Sequence, residues 1–481
     1  MEVGGSSPPR PHPNFSVEGE AMDISPEEME ICLRVLQTVS EDVAIAQSHD
    51  RFKSLVAKIY KQGKKIQRGA ERVRRASEDW GLKEETQLVQ SKANPLGKRA
   101  LPQEGKGKRL NRPVSCYICK QPYRDLHFFY HLLCPTCAAL NYDKRSQRAD
   151  LTGRTALVTG GRVKIGYQVV LRLLRDRART IITTRFPVDC ARRLSGEPDF
   201  EEWRDRAIIY GLDLRYLPGV EAFVRDLRDR EPFLDILINN AAQTIKRPLG
   251  FYQHLLERER APLHSLPSEV RGLIANEENR ESFLLENQMP SQPHFLPTTI
   301  ENFPANILDE DGQQLDLRPL NSWLLKLDEV STTELLEVQL VNAIAPFILT
   351  GQLKSLLARS PAKRRFIINV SAMEGQFNRQ NKTIYHPHTN MAKAALNMMT
   401  RTSAADYAKD GVYLNSVDTG WITDENPYSK KTHLQNERGF YPPLDLIDGM
   451  ARIYDPIAQG INHPDIPLYG HFLKNYVPYP W

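Results

Sequence analysis

Long apolar runs are what this 481-residue chain has least of: nothing in it reads as a signal peptide or as a stretch able to cross a bilayer. Neither secretion nor membrane residence is therefore expected. Cysteine is scarce too, at six residues. In a chain without a secretory leader those thiols stay reduced, which excludes a disulfide scaffold and fits a cytoplasmic or nuclear compartment. Strong charge of one sign is missing as well, since 64 basic and 59 acidic residues leave a net +5. That balance argues against a dedicated nucleic-acid binder. Two local basic segments, Lys61 to Arg75 and Lys98 to Arg112, keep an RNA, DNA or acidic-protein partner open beside the plainer reading of a solvated helix face.

The few cysteines are not scattered. Cys116-x-x-Cys119 and Cys134-x-x-Cys137 form two pairs separated by fourteen residues, a spacing that lets four thiolates close a tetrahedral site. Zinc suits soft sulfur ligands, and a full set of four leaves no open position, so the metal is expected to be structural. A redox pair or an iron–sulfur centre is the alternative, and His127 and His131 lie between the pairs as substitute ligands. Cys32 and Cys190 stand alone. Around this ribbon, assigned to 114–140, the chain divides further. Residues 1–22 are rich in Pro, Gly and Ser and predict a disordered tail, 23–90 a helical region, and 91–113 a basic linker. The helical region starts at the capping pattern Ser25-Pro26-Glu27-Glu28 and holds a second helix around Phe52 to Ile66. Neither helix is long enough to fold alone, so each is expected to pack on its neighbour, on the main domain or across a dimer.

Residues 150–481 read as α/β. The segment RTALVTGGRVKIGYQVVLR, 154–172, is an apolar β-branched strand running through a glycine turn into a helix, the pattern that aims free N–H groups at a pyrophosphate. Further strands end in Arg185, in Gly211-Leu212-Asp213 and in Asn239-Asn240-Ala241-Ala242, with helical segments between them at βαβ spacing. The implied architecture is a Rossmann-type doubly wound parallel sheet.

Six ordered motifs carry a resemblance: TGGRVKIG at 159–166, Asp213-Leu214, NNAA at 239–242, Asn342 in VNAIAPF, INVSA at 368–372 and Lys393 in MAKAAL. Together they resemble the short-chain dehydrogenase/reductase family over roughly 150–245 and 330–481. By that resemblance Thr159, Gly160, Gly161, Arg162, Lys164, Ile165 and Gly166 hold the dinucleotide phosphates. Asp213 and Leu214 meet the adenine, Asn240, Ala241 and Ala242 line the cofactor, and Gly420 flanks the nicotinamide amide. NAD-specific sites place an acidic residue after the second strand, but here that place carries Arg185, with Arg162 and Lys164 in the turn. Cationic side chains suit a 2′-phosphate, so NADP(H) is favoured over NAD(H). Lys164 stands where most of the family has glycine, and pteridine reductases resemble this chain in carrying a cation there.

The family's proton relay uses Asn, Ser, and Tyr-x-x-x-Lys a helical turn apart. Asn342 and Lys393 match, but the tyrosine position is Thr389 and the serine position falls on Ala372, with Ser371 one residue earlier. A threonine hydroxyl is a far poorer acid than a phenol. Tyr385 or His388 reaching in from the preceding segment, or a substrate needing no strong acid, would rescue the chemistry. Between Ala242 and Asn342 the chain spends about a hundred residues where a short loop suffices. An insertion there, about 245–328, is expected over the nicotinamide side as a lid, or else as a partly disordered surface excursion. The leading expectation is an NADP(H)-dependent oxidoreductase for a small carbonyl or alcohol, with an atypical proton donor and a homo-oligomeric state resting on the apolar helices around 334–357 and 390–407. The rival is a catalytically silent NADP(H) sensor that presents the ribbon or basic helix to a macromolecular partner.

Overall fold

The computed structural model describes residues 24–42, 44–45, 48–93, 108–275, 300–309, 311–379, 382–463 and 465–481. The tail expected over 1–22, most of the linker expected over 91–113 and residues 276–299 of the insertion lie outside the described residues. Two compact units are present.

The first comprises 1–84 and 109–113. Its helix Pro26–Glu41 starts at a capping box in which Ser25 and Glu28 exchange hydrogen bonds, and none of its residues is buried. The next helix runs Asp50–Glu84, eighteen residues past the end predicted from the sequence. Strong helix formers and the Glu71–Arg74, Glu71–Arg75 and Arg74–Glu78 ion pairs carry it through Gly63 and Gly69. Asp79 accepts the backbone N–H groups of Asn111 and Arg112. Those two residues belong to strand β1 (Arg109–Ser115), so the end of the supposed linker is ordered.

The second unit holds 85–108 and 114–481. A short strand, β2 (Pro122–Asp125), lies between the cysteine pairs. The main sheet is built from β3 (Thr155–Thr159), β4 (Arg179–Thr184), β5 (Ala207–Gly211), β6 (Ile236–Asn239), β7 (Arg365–Ser371), β8 (Val412–Asp418), β9 (Phe472–Lys474) and β10 (Val477–Tyr479). Their order is β10-β9-β8-β7-β6-β3-β4-β5. Every pairing is parallel except β9 with β10. β3 is buried at all five positions, as a β-branched central strand covered on both faces should be. One face packs Val158, Ile182, Trp203, Ile453 and Tyr454, the other Leu157, Phe223, Leu349 and Leu414. The sequence of strands reverses between β3 and β6, which opens a crevice beyond their carboxyl ends.

The helix Thr332–Gln352 is, by length and composition, long and apolar enough to cross a membrane, where the sequence reading expects no such run. Half of its most apolar window is buried within the protein, Val338, Ala345 and Leu349 facing the core. Its middle, Leu340–Ile344, widens into a π turn.

The insertion contributes the helix Leu249–Glu259 and a parallel bridge from Ile274 to Ile209 of β5. The Glu259 carboxylate accepts the N–H groups of Val188 and Asp189 at the start of the helix Pro187–Ser195. This part sits by the glycine turn and β4, not over the nicotinamide side. Among the described residues, the later part reaches that side around Trp323, whose ring stacks on His386 at 3.9 Å.

Candidate active site

The crevice has a volume of about 1070 Å³. One end is the glycine turn. Gly160 has φ +70°, and a Cβ there would lie 2.9 Å from the Ala241 backbone; a Cβ on Gly166 would lie 2.2 Å from the Gly160 carbonyl oxygen. The turn thus admits only glycine at those positions, because its own backbone and the Ala241 segment close on them. Behind it, Thr159 accepts the N–H groups of Asn240 and Ala241 through Oγ1, and the Asn240 amide donates to the carbonyls of Thr159 and Gly160. Thr159 and Gly161 therefore shape the turn from behind and do not line the cleft. The helix Lys164–Arg175 opens with no side-chain cap, so its first N–H groups face the crevice. Lys164 has φ +56°, the left-handed conformation that makes glycine the usual occupant.

Of the cations expected to meet a 2′-phosphate, Arg162 is removed from that role. Its guanidinium is buried and donates to Asp189 at 2.8 Å and Gln313 at 2.7 Å. Lys164 Nζ lies 3.5 Å from Asp311 and 3.7 Å from Glu425, and the Glu425 charge, against the effect of burial, holds the ammonium above its ordinary range. The insertion supplies Gln313 and Asp311, partners that no local reading could have foreseen. Arg185 is different: it lines the cleft, donates to the Tyr252 hydroxyl at 2.8 Å and lies 4.7 Å over that ring. Asp213, though burial raises its carboxyl, is held below the usual range by Arg215. It lines the cleft together with Leu214, Ala241 and Ala242.

At the opposite end, Thr389 and Lys393 stand one turn apart on the helix Pro387–Lys409. Lys393 is buried, and burial lowers its pKa to about 8; Nζ donates to the Val370 carbonyl at 2.8 Å. The Thr389 hydroxyl is buried, lines the cleft and has no hydrogen-bond partner among the described residues. Ser371 is turned to Asn397, donating at 2.6 Å. Asn342, in the π turn, exchanges hydrogen bonds with the backbone of Gln243. His388 does not enter the cleft: its Nε2 lies 3.4 Å from Glu334 on the far side of the helix. Tyr385 does not line the cleft either. His388 is the helix neighbour of Thr389 and points about 100° away from it, while Tyr385 precedes the helix, which begins at Pro387 after His386 in the left-handed conformation. Gly420, at φ +80°, lines the cleft where β8 ends.

The four cysteines come together, with their sulfur atoms within 4.8 Å of one another. Zn–S bonds of 2.3 Å in a tetrahedron require S···S distances of about 3.8 Å, and Cys119 and Cys134 stand at 3.7 Å. The Cys134 N–H also points at the Cys116 sulfur, at 3.3 Å. The donor set fits zinc. His127 instead accepts the Phe129 N–H, and His131 Nε2 meets the Tyr441 carbonyl. This ribbon is fixed to the sheet unit by Tyr130 on Asp448, by Arg145 on Asp445 and Asp448, and by Lys144 on Asp455.

The family model described as short chain dehydrogenase matches residues 154–256, and the one described as enoyl-(acyl carrier protein) reductase matches 323–438. The chain belongs to the short-chain dehydrogenase/reductase family. An uncharacterized protein of Acanthamoeba polyphaga mimivirus is 33% identical to this short-chain dehydrogenase/reductase over 357 residues, covering 71% of each. Dehydrogenase/reductase SDR family member 13 of Bos taurus is 36% identical over 119 residues, 24% of this chain and 28% of that protein. The chain thus matches well under a third of that relative's length. A short-chain dehydrogenase of Streptomyces avermitilis aligns with 66% of this chain and 86% of its own at 16% identity and a TM-score of 0.40.

Against the family's relay, this short-chain dehydrogenase/reductase keeps Lys393 at the cleft and carries an unpartnered hydroxyl at Thr389, while Asn342 and Ser371 spend their side chains on internal bonds. Several cleft residues escaped the sequence reading: Tyr117 and Lys120 from the ribbon, Tyr252 and Trp323 from the insertion, and Trp421 and Glu425 after β8. The ribbon and the insertion were legible as segments, but no local pattern says which of their faces meets the sheet.

Proposed function

We propose that this chain is an NADP(H)-dependent oxidoreductase acting on a small carbonyl or alcohol substrate. The observation that carries the reading is a single crevice with an uncapped helix N-terminus and glycine turn at one end and a buried lysine beside an unsatisfied hydroxyl at the other. When bound, the reduced cofactor supplies a hydride for the substrate carbonyl carbon, and the carbonyl oxygen takes up a proton. The open N–H groups after Val163 receive the diphosphate. Arg185, which lines the cleft after β4 and donates to the Tyr252 hydroxyl, receives the ribose phosphate. Lys393 orients the nicotinamide ribose, and Thr389 gives its hydroxyl to substrate or to a water that delivers the proton. A structural zinc on Cys116, Cys119, Cys134 and Cys137 belongs to the same proposal.

A second reading, a silent NADP(H) sensor, is favoured by the internal bonds of Ser371 and Asn342. Fluorescence titration with NADPH and NADH, followed by a panel of carbonyl substrates, separates the two. Tighter binding of NADPH together with turnover is expected. Equal affinity for the two nucleotides would end the NADP(H) preference, and binding without turnover across the panel would leave the sensor. Arg185→Gln is expected to weaken NADPH by about tenfold or more, the worth of a charge-assisted bond, and to leave NADH unchanged.

A further inference from the structure

The helix position that supplies a phenol in the family's relay is Thr389 here, yet a phenol does stand in the cleft. Tyr117 lies between the first two cysteines, and with Ile118 and Lys120 it lines the crevice beside Thr419, Gly420 and Trp421. Its backbone is held by the ribbon: the Tyr117 N–H donates to the Leu132 carbonyl at 2.9 Å, while the adjacent Cys116 N–H donates to Gln121. The ring is held by Lys120, whose Nζ lies 5.1 Å over it and donates to the Tyr117 carbonyl. The hydroxyl oxygen accepts the Trp421 N–H at 3.0 Å. It also lies 3.6 Å from where a Cβ on Gly420 would stand, so it faces the turn that ends β8, in the same crevice that Lys393 and Thr389 line. A hydroxyl that accepts one bond still has a hydrogen to donate, and among the described residues no acceptor takes it.

We infer that Tyr117 donates its phenolic hydrogen bond to the carbonyl or hydroxyl oxygen of the substrate, so that the cysteine ribbon is a substrate-binding wall of the cleft and not only a fold staple. The inference rests on the oxidoreductase reading. It assigns substrate recognition to a residue whose backbone is positioned by the metal-site fold, and leaves cofactor binding to the glycine turn and Lys393.

The test is Tyr117→Phe in the full, zinc-loaded chain, a change that removes one oxygen and keeps the ring. NADPH affinity is read by fluorescence titration, and kcat and KM are read for the best carbonyl of the panel. The expected result is an NADPH affinity within about twofold of wild type and a KM raised at least tenfold, about 1.4 kcal/mol for one lost hydrogen bond to substrate. Unchanged KM and kcat would overturn the inference alone. An NADPH affinity that falls in step with kcat/KM would also overturn it, placing the hydroxyl on the cofactor. A wild-type chain that binds NADPH and turns over no carbonyl would overturn both this inference and the oxidoreductase reading.

Discussion

Lys393 shows at a single residue how binding and stability oppose each other. Its ammonium is buried with one carbonyl for company, and its pKa falls from 10.5 to about 8. That displacement corresponds to a penalty of about 3 kcal/mol on the charged form. Because the folded state gives up the proton more readily than the unfolded chain, the unfolded state binds more protons between pH 8 and 10.5, and stability rises with pH across that window. Below pH 8 the full cost is present. Lys393→Met should therefore flatten the alkaline rise in unfolding free energy, measured by denaturant titration, and raise stability at neutral pH. The same variant should weaken NADPH by about tenfold or more, since the ribose loses its cationic donor. A variant that binds NADPH normally would overturn the role of Lys393 at the ribose. Arg162 makes the complementary point. A cation in the right place in the sequence serves no phosphate once Asp189 and Gln313 have taken its donors.

Among the elements, the ribbon has the clearest chemical signature. About one zinc per chain is expected by mass spectrometry of the purified protein, and Cys119→Ser should lower both the zinc content and the melting temperature. Less than half an equivalent in the wild type would overturn the assignment. The ribbon was legible because the spacing of its cysteines is local chemistry, and the glycine turn was legible for the same reason: Gly160 and Gly166 answer to contacts within one strand–turn–helix unit and the next strand. The parallel, doubly wound character of the sheet followed from the same strands and their βαβ spacing, whereas their order across the sheet came only with the structure. The walls of the cleft were not legible. Tyr117, Tyr252, Trp323 and Trp421 meet through packing between segments far apart in the chain, and no periodicity encodes that. His388 failed for a rotational reason, since a neighbour of Thr389 on a helix points about 100° away from it, here toward Glu334. The long helix Asp50–Glu84 was underestimated because the apolar spacing that marks it ends near Ile66, while strong helix formers carry it on and its glycines, with no neighbour within 4 Å, cost it little.

For the molecule as a whole, two helices leave apolar side chains in water: Leu336, Ile344 and Phe347 on Thr332–Gln352, and Met391 and Met398 on Pro387–Lys409. Phe347 is 65% exposed. These are the helices expected to join copies of the chain, and we propose a homo-oligomer closed across them. Light scattering after size exclusion should give a multiple of 55.0 kDa, reduced to the single-chain mass by Phe347→Glu. A wild type that elutes at the single-chain mass would overturn it. The attachment of the ribbon has a practical bearing on how the protein can be cut. A gene fragment begun at residue 150, the obvious boundary for expressing the dehydrogenase half, would discard Tyr130, Lys144 and Arg145 and so strip Asp445, Asp448 and Asp455 of the partners they bond there. It would also discard Lys92, whose ammonium gathers the carbonyls of Ile422, Pro442 and Leu444. Such a fragment should come out of the cell as inclusion bodies, while one begun at residue 85 should stay in the supernatant.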